Sequence, residues 1–515
     1  MAKRRQRRTN MKKYTKLWIC LLAFGMLSLG SCSDFFEPDQ DMVLEKKDHW
    51  DTHEKVRRGL IGAYSELQDV VEEMIVLGGV RADLLTVTEN FDADLKELNE
   101  HNIGRNNSYV DPRPFYDVIT NCNELIANVD KALVDPKFSE ELRDAYKAEA
   151  IVLRAWTYFQ LAQTFKTVPV ITDPLGGIDG EYEPDMLNLK QMVNWLTEEV
   201  IKVADAPKLV WGEDISDQVW DRVFVNRNAL LGELHLVAGN YQNAADHFYS
   251  AIITDGGGKD DSSFKCNKDE TGGSWSSFWF VAGSGSAYLE QVTVIPFSAF
   301  RRQTNEIATL FSSVRSGKYL LKPSENAIEN WTTEVDTPRD PRGLFGSYGV
   351  IDKRKQVTKY SSSTDDVFSI YRAADLHLLY AEAINRAGNP DEALDVINDK
   401  LRDSPKSNGI RGRVGLPKID LLQYAGMEDT PQNLDKLEEV ERLLLEERAR
   451  ELAFEGRRWN TLVRFATRST DPSILADRIA IKFEKADLPA EGIRTKLSDP
   501  ENWRIEFNMN FLKNN

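Results

Sequence analysis

The chain has 515 residues, of which 41% are hydrophobic, and it carries a formal net charge of −17. That length is ample for a large core or for two lobes. The acidic balance argues against a nucleic-acid partner and against anionic glycans or headgroups, and it favours neutral or cationic ligands.

The first 32 residues have the order of an export signal that ends at a cysteine. Lys12, Lys13 and Lys16 precede an apolar run from Leu17 to Leu29, and Gly30-Ser31-Cys32 follows it. The run is too short to span the roughly 30 Å of a bilayer core, so a secretory signal is the better interpretation. A cysteine directly after the cut predicts a bacterial lipoprotein in which Cys32 carries the lipid. An ordinary signal peptide with an incidental cysteine is the alternative.

Cleavage before Cys32 divides the chain into three parts. Residues 1–31 hold eight Lys or Arg and no acid, so the rest of the chain carries a charge of −25. Residues 32–47 are the lipidated cysteine and an acidic tether, and residues 48–515 are the folded domain. Met11 alone begins a complete signal, which leaves open whether residues 1–10 are an over-long start. Cys122 and Cys266 follow no zinc or redox spacing, and we expect buried free thiols, with a disulfide as the alternative.

Helical periodicity dominates the folded domain. From Thr52, a candidate N-cap, apolar residues recur every three or four positions up to Leu67. The segments Tyr116 to Leu133 and Glu140 to Phe165 show the same period. Pro169 and Pro174 prevent the second of them from continuing.

A helical repeat is the clearest internal signal. Residues at tetratricopeptide-repeat spacing are Gly232, Gly239, Tyr241, Ala244, Phe248 and Ala251. The small side chains allow two helices to approach closely, and Gly239 makes the turn between them. A looser copy runs from Leu379 to Ile397. Because one repeat cannot bury its face alone, we expect at least three or four stacked helix pairs.

Two stretches, residues 78–114 and 255–371, break the helical pattern. The second is rich in Gly, Ser and aromatic residues and contains one predicted strand, Gln291 to Ile295. Such long irregular stretches inside a repeat scaffold predict a folded insertion or a set of functional loops. We therefore expect an irregular lobe with minor β-structure.

Catalytic and metal motifs are missing from the sequence. It has no Gly-x-Ser-x-Gly, Walker or His-Glu-x-x-His motif, and His49 and His53 match no metal pattern. Glu447, Glu451 and Glu455 share a predicted helix face with interleaved arginines. This spacing favours ion pairs between helices over the acid/base pair of a glycosidase. No metal, cofactor or enzymatic activity is predicted.

Candidate ligand-binding residues lie in the two irregular stretches. They are Arg81, Asp83, Asn90 and Phe91 in the first stretch and Trp275 and Trp331 in the second. Sugar rings stack their C–H faces on flat aromatic side chains, while amides and charged groups bind the hydroxyls. We expect Trp275 and Trp331 at the surface, where they would suit a carbohydrate.

These motifs together resemble the SusD/RagB family of outer-membrane nutrient-binding lipoproteins of Bacteroidetes. The matching segments are Cys32-Ser33-Asp34-Phe35-Phe36-Glu37, Gly62-Ala63-Tyr64, Leu153-Arg154-Ala155-Trp156, Val168-Pro169-Val170, Asp340-Pro341-Arg342, Lys359-Tyr360, Tyr371-Arg372, Leu379-Tyr380-Ala381-Glu382-Ala383, and Glu447-Arg448 through Arg458-Trp459. Thr461 stands before Leu462 where the family often has an Asp. The resemblance covers nearly the whole chain.

The resemblance implies an all-α, tetratricopeptide-like superhelix of about four helix pairs with an irregular, loop-rich lobe. It also implies a surface-exposed, lipid-anchored protein of the outer membrane that has no catalytic role. Such a protein caps a SusC-like TonB-dependent transporter and delivers an oligosaccharide to it. A peptide ligand, as in some members, is the alternative, and a surface glycoside hydrolase is a further one. Family ligand sites vary strongly in sequence, so the six candidate residues rest on their own chemistry alone.

Overall fold

The computed structural model describes residues 50–174, 183–209, 220–256, 290–297, 305–314, 317–332, 340–360, 367–401, 409–421, 433–469, 471 and 473–513. The predicted signal, the acidic tether, Cys32 and His49 therefore lie outside the described residues. From Thr52 onward the described chain is mainly helical, with short strands between the helices.

The described α-helices lie in a repeat scaffold, in the two irregular stretches and in the C-terminal region. They are α1 (His53–Glu66), α2 (Val71–Gly79), α3 (Ala93–Asn99), α4 (Arg113–Asn128), α5 (Glu140–Thr164), α6 (Leu189–Ile201), α7 (Arg227–Ala238), α8 (Tyr241–Tyr249), α9 (Ile307–Phe311), α10 (Glu325–Asn330), α11 (Ala373–Arg386), α12 (Pro390–Asn398), α13 (Asn433–Glu451), α14 (Arg458–Arg468), α15 (Ile474–Glu484), α16 (Glu491–Leu497) and α17 (Asn510–Lys513). A π-helical turn, Ser250–Thr254, continues directly from α8.

The scaffold is a stack of paired helices. Helix α1 packs on α4, α5 on α6, α7 on α8, and α11 on α12. Successive pairs also touch, since α4 contacts α5, α6 contacts α7, and α8 contacts α11. Each pair thus buries the apolar face that its neighbour leaves open, as repeat architectures require. The predicted all-α, tetratricopeptide-like architecture is confirmed.

Local signals set the helix ends. The Thr52 side chain accepts a hydrogen bond from the backbone N–H of Lys55, as its predicted N-cap role requires. The predicted long helix is α5, whose first turn is capped by Ser139. Helix α4 begins three residues before the predicted Tyr116, because Pro114 occupies its first turn and needs no N–H there. It gives way to a 3₁₀ segment, Val129–Val134.

Glycines fix the repeat that the sequence singled out. A Cβ on Gly232 would lie 2.6 Å from the ring of Phe248, so only glycine allows α7 and α8 to approach this closely. Gly239 has a φ of +81° and ends α7 in the left-handed conformation, which glycine adopts without strain. Both predicted roles are confirmed.

The strands form two-stranded antiparallel sheets. They are β1 (Leu85–Val87), β2 (Thr167–Pro169), β3 (Met186–Asn188), β4 (Gln291–Ile295), β5 (Leu321–Pro323), β6 (Tyr348–Ile351), β7 (Arg354–Val357) and β8 (Phe368–Arg372). The pairs are β1 with β5, β2 with β3, β4 with β8, and β6 with β7. Strand β4 has the predicted bounds. Because β1 and β5 come from different irregular stretches, one sheet joins those two stretches.

Cys122 is the one cysteine within the described residues. Cys122 is a free thiol, and complete burial raises its pKa to about 12. This agrees with the predicted buried thiol, and Cys266 lies outside the described residues.

Among the helices of the described chain, none combines the length and the apolar character needed to cross a bilayer.

Candidate ligand-binding surface

A tight turn after β1 presents the first exposed polar and aromatic pair. The Thr88 N–H donates to the Leu320 carbonyl oxygen at 2.9 Å, and the Thr88 hydroxyl donates to the Tyr319 carbonyl oxygen at 2.5 Å. The same hydroxyl accepts from the Asn90 N–H at 3.1 Å. Thr88 is buried, so the turn is held from inside while Asn90 and Phe91 face outward. Phe91 is 41% exposed, which is high for so large an apolar side chain.

Two distant segments meet this turn. The Asn90 side-chain amide donates to the Lys318 carbonyl oxygen at 3.2 Å. Glu89 pairs with Arg354 of β7 at 3.5 Å, and the Arg354 guanidinium lies 5.4 Å from the centre of the Tyr319 ring. Residues far apart in the sequence thus form one surface. We call Glu89, Asn90, Phe91, Lys318 and Arg354 the loop face.

The chemistry of the loop face suits a hydroxylated ligand with apolar patches. Phe91 offers an exposed ring on which a sugar ring can stack. Glu89 and Arg354 are 60% and 46% exposed in their side chains, so both remain able to exchange hydrogen bonds with hydroxyl groups. Aromatic and charged groups of both signs therefore stand side by side.

Asp83 is not on this surface. It is 0% exposed, and its carboxylate accepts two hydrogen bonds from Arg458 of α14, at 2.7 and 2.8 Å. Burial alone would raise the pKa of Asp83, but the Arg458 guanidinium outweighs burial and holds the pKa below its ordinary value. The predicted ligand-binding role of Asp83 gives way to an ion pair between the segment after α2 and α14.

Arg81 is also in the core, at 1% exposure. Its Nη2 donates to the Trp503 carbonyl oxygen at 2.7 Å, and its guanidinium lies 4.1 Å from the centre of the Trp459 ring. The segment between α2 and β1 packs against α14 and Trp503, and both Arg81 and Asp83 are buried there. Only Asn90 and Phe91, past the strand, become exposed.

Trp331 is buried rather than exposed, so its predicted surface position is wrong. It is 5% exposed and stacks on Tyr348 with ring centres 5.7 Å apart. Phe454 meets the same indole edge-on at 6.0 Å, and Gly343 packs so closely that a Cβ there would lie 2.8 Å from Trp331. The indole fills the space beneath the β6–β7 hairpin. Trp275 lies outside the described residues.

The sequence interpretation missed three members of the loop face. Glu89 is next to Asn90 in an irregular stretch, and this adjacency is the one sequence signal that could have identified Glu89 as a site residue. Lys318 and Arg354 lie more than 200 residues away in the sequence. The pairing of β1 with β5 brings Lys318 to the turn, and the packing of β7 on β5 brings Arg354 there.

A buried charge cluster contains Glu447 and Glu451 of α13 and also Glu455, which lies past the end of that helix, so the predicted shared helix face holds for the first two alone. Arg342 Nη1 donates to Glu447 at 2.6 Å and to Glu451 at 3.1 Å, and all three side chains are 0% exposed. Arg372 donates to Glu451 at 2.8 Å and to Glu455 at 2.8 Å. We call these five residues the charge cluster. It joins α13 to β8 and to the loop that precedes β6.

The charge cluster is unsuited to acid/base catalysis. Burial raises the pKa of Glu447 and of Glu451, but the surrounding arginines outweigh it and bring each value to about 2. A general acid must hold a proton near the working pH, and neither carboxyl group can do so here. These carboxylates have the ion-pairing role that the sequence predicted.

Metal ligands are not grouped within the described ranges. In those ranges, no three His, Cys, Asp or Glu side chains are arranged to hold a metal ion. His53 Nε2 lies 3.1 Å from the Tyr146 hydroxyl, and the His53 ring packs against Phe138 at 5.5 Å. The histidine thus belongs to the packing of α1 on α5.

Two family models match the chain. The model described as "SusD family" matches residues 283–515, and the model described as "Starch-binding associating with outer membrane" matches residues 34–196. The first contains the charge cluster, and the second contains Asn90 and Phe91.

Individual proteins give the same result over most of the chain. The SusD-like protein P38 of Formosa agariphila is 23% identical over 500 residues, which cover 88% of this chain and 92% of that protein. A solved SusD superfamily protein from Bacteroides thetaiotaomicron has a TM-score of 0.64 at 20% identity and covers 84% of this chain and 94% of its own. The surface glycan-binding protein A of Bacteroides uniformis has a TM-score of 0.63 at 19% identity and covers 90% and 95%. The fold is shared with both structures.

Proposed function

Because this chain belongs to the SusD/RagB family, we propose that it binds an oligosaccharide at the outer membrane and passes it to a transporter. The observation that carries the proposal is the loop face, where Phe91 is exposed in the same turn as Asn90 and Glu89, and Glu89 pairs with Arg354. The description of one matching family model as starch-binding, and a structural neighbour named for glycan binding, support this ligand class.

A neutral oligosaccharide fits the charge of the chain best. The net charge of −17 includes eight Lys or Arg of the signal, so the exported part is more acidic still. That field disfavours anionic glycans at moderate ionic strength. Within the loop face, Glu89 and Arg354 neutralise each other, which leaves hydrogen bonding and stacking on Phe91 as the main sources of affinity.

The proposed partner is a SusC-like TonB-dependent transporter, and the proposed anchor is a lipid on Cys32. The family model's description associates its members with the outer membrane, which supports this location. A lipid at Cys32 and the tether 33–47 would hold the binding protein on the surface, next to its transporter.

In cells with the transporter deleted, a Cys32→Ala variant should leave the membrane fraction and keep its ligand affinity. Retention of that variant in the membrane would contradict the anchor.

The ligand class is tested by calorimetry with the purified chain. Neutral oligosaccharides should bind with heat that saturates, whereas acidic oligosaccharides of equal length should bind more weakly, the more so at low salt. Binding of peptides without binding of any glycan would overturn the glycan proposal and favour the peptide alternative. Release of reducing ends during incubation would instead favour a glycoside hydrolase.

A further inference from the structure

A small cavity lies where α2, α5 and α14 meet. Its volume is about 30 Å³, and its walls include Arg81, Gln160, Trp459 and Asn460. One water needs about 10–15 Å³ of such space, so the cavity has room for about two water-sized particles. A sugar ring does not fit. Thr164 and Asn460 on its wall are partly exposed.

Four residues of the cavity wall carry a buried side-chain donor that has no acceptor, and one of them, Arg457, is already paired with Asp375 at 3.8 Å. Arg81 Nε, Gln160 Nε2 and Trp459 Nε1 make no hydrogen bond, although the three residues are 1%, 8% and 1% exposed. Buried polar groups are normally hydrogen-bonded, and an unmade bond is costly. Three such donors around one small space indicate that an acceptor belongs there.

The charge of Arg81 is likewise uncompensated. Among the described residues no carboxylate lies within ion-pair distance of its guanidinium, whose other contacts are the Trp503 carbonyl oxygen and the Trp459 ring. Burial, together with the charge of Arg504, lowers the pKa of Arg81 to about 9. The group therefore still carries its proton at neutral pH. A buried cation without a partner is unusual. An anion in the cavity would neutralise it.

The N-terminus of α14 adds a second source of positive potential. The helix begins at Arg458, and no side chain caps it. Gly456, Arg457, Trp459 and Asn460 all line the cavity, so the first turn of α14 faces it. The free N–H groups and the dipole of a helix N-terminus attract anions. Helix and guanidinium thus act on the same small space.

We propose that this cavity binds one small inorganic anion of chloride size. The anion accepts from the side-chain N–H groups of Arg81, Gln160 and Trp459 and lies at the N-terminus of α14. Water is a poorer occupant, because it also has hydrogens to donate, whereas the unpaired buried side-chain atoms of the wall residues are all donors. The bound anion would add a contact shared by Arg81, which follows α2, Gln160 of α5 and Trp459 of α14.

Bromide, which replaces chloride and scatters anomalously, tests the site directly. Crystals of the full chain grown or soaked in sodium bromide should show one anomalous peak inside the cavity, within hydrogen-bond distance of Arg81 Nε and Trp459 Nε1. Ordered water in the cavity without an anomalous peak would overturn the proposal.

Thermal unfolding in solution gives a second test with a matched control. Sodium chloride should raise the Tm of the full chain above its value in sodium gluconate of equal ionic strength, and the rise should grow with the logarithm of chloride concentration. Trp459→Phe keeps most of the ring and removes one donor, so it should need at least ten-fold more chloride for the same rise. Trp156→Phe is the control, since its indole N–H also lacks an acceptor but does not line the cavity. Equal chloride responses in all three proteins would contradict the site.

Discussion

The charge cluster on α13 and the loop face use the same residue types for opposite purposes. In the charge cluster Glu451 meets Arg342 and Arg372 at 0% to 3% side-chain exposure. In the loop face Glu89 meets Arg354 at 3.5 Å with both side chains about half exposed. Breaking a buried pair leaves an uncompensated charge, whereas an exposed pair contributes little to stability. One region therefore holds the fold together, and the other stays available to a ligand.

The largest expected effect is on stability, from Glu451→Gln. The change removes the charge that faces Arg342, Arg372 and Arg413. It should lower the free energy of unfolding by about 3–5 kcal/mol, the usual cost of breaking a buried pair. Urea denaturation measures it. Glu89→Gln is the matched control on the loop face and should cost less than about 1 kcal/mol. Equal losses for the two variants would remove the distinction between the regions.

A second effect links stability to the loop face through Lys482. Its Nζ is buried and donates to the carbonyl oxygens of Val80 and Ala82, each at 2.8 Å. Lys482→Met should lower the free energy of unfolding by about 2–3 kcal/mol, because it leaves buried carbonyl groups unpaired. Since the segment it holds leads into β1, ligand affinity should fall as well.

Lys485 provides the control for Lys482. It lies three residues further along and pairs with Glu329 at the surface, with side-chain exposures of 30% and 50%. Lys485→Met should change the free energy of unfolding by less than about 1 kcal/mol and leave ligand affinity unchanged. If Lys485→Met lowered the free energy of unfolding as much as Lys482→Met, burial of the lysine would not explain the loss of stability.

Glu73 of α2 tests how burial changes the pKa of a carboxyl group when no arginine offsets it. Burial raises the pKa of Glu73 to about 7, and Glu72 and Asp111 add to the rise. The folded chain therefore binds more protons than the unfolded chain between about pH 4.5 and 7, and stability from this group is lost as the pH rises through that range. Glu73→Gln should stabilise the protein by about 1–3 kcal/mol at pH 8 and not at pH 4. A gain of the same size at both values would contradict the shift.

The parts of the fold that depend on local spacing were predictable from the sequence. Gly232, Gly239 and Phe248 carry the helix pair α7–α8 within one short segment, and the spacing of Glu447 and Glu451 places both carboxylates on one helix face. Their partners were not predictable, since Arg342 comes from a loop a hundred residues earlier and reaches them only in the folded chain.

The candidate site shows the same limit. Arg81, Asp83, Asn90 and Phe91 all lie in one irregular stretch. The sequence does not reveal that the first two precede β1 and contact α14, while the last two follow β1 at the surface. Asp83 is paired by Arg458, which is 375 residues away. For Trp331, an aromatic residue in a polar stretch read as exposed, although Tyr348 and Phe454 enclose it.

Calorimetric titration of a neutral oligosaccharide into Phe91→Ala tests whether the loop face is the ligand-binding surface. We predict that the affinity for the oligosaccharide falls about ten-fold, or about 1.4 kcal/mol, because a stacking surface is lost. The free energy of unfolding should change by less than about 0.5 kcal/mol, since Phe91 is exposed. Leu488→Ala, which removes another exposed apolar side chain outside the loop face, should leave both quantities unchanged. Unchanged affinity in Phe91→Ala would contradict the assignment of the loop face as the ligand-binding surface.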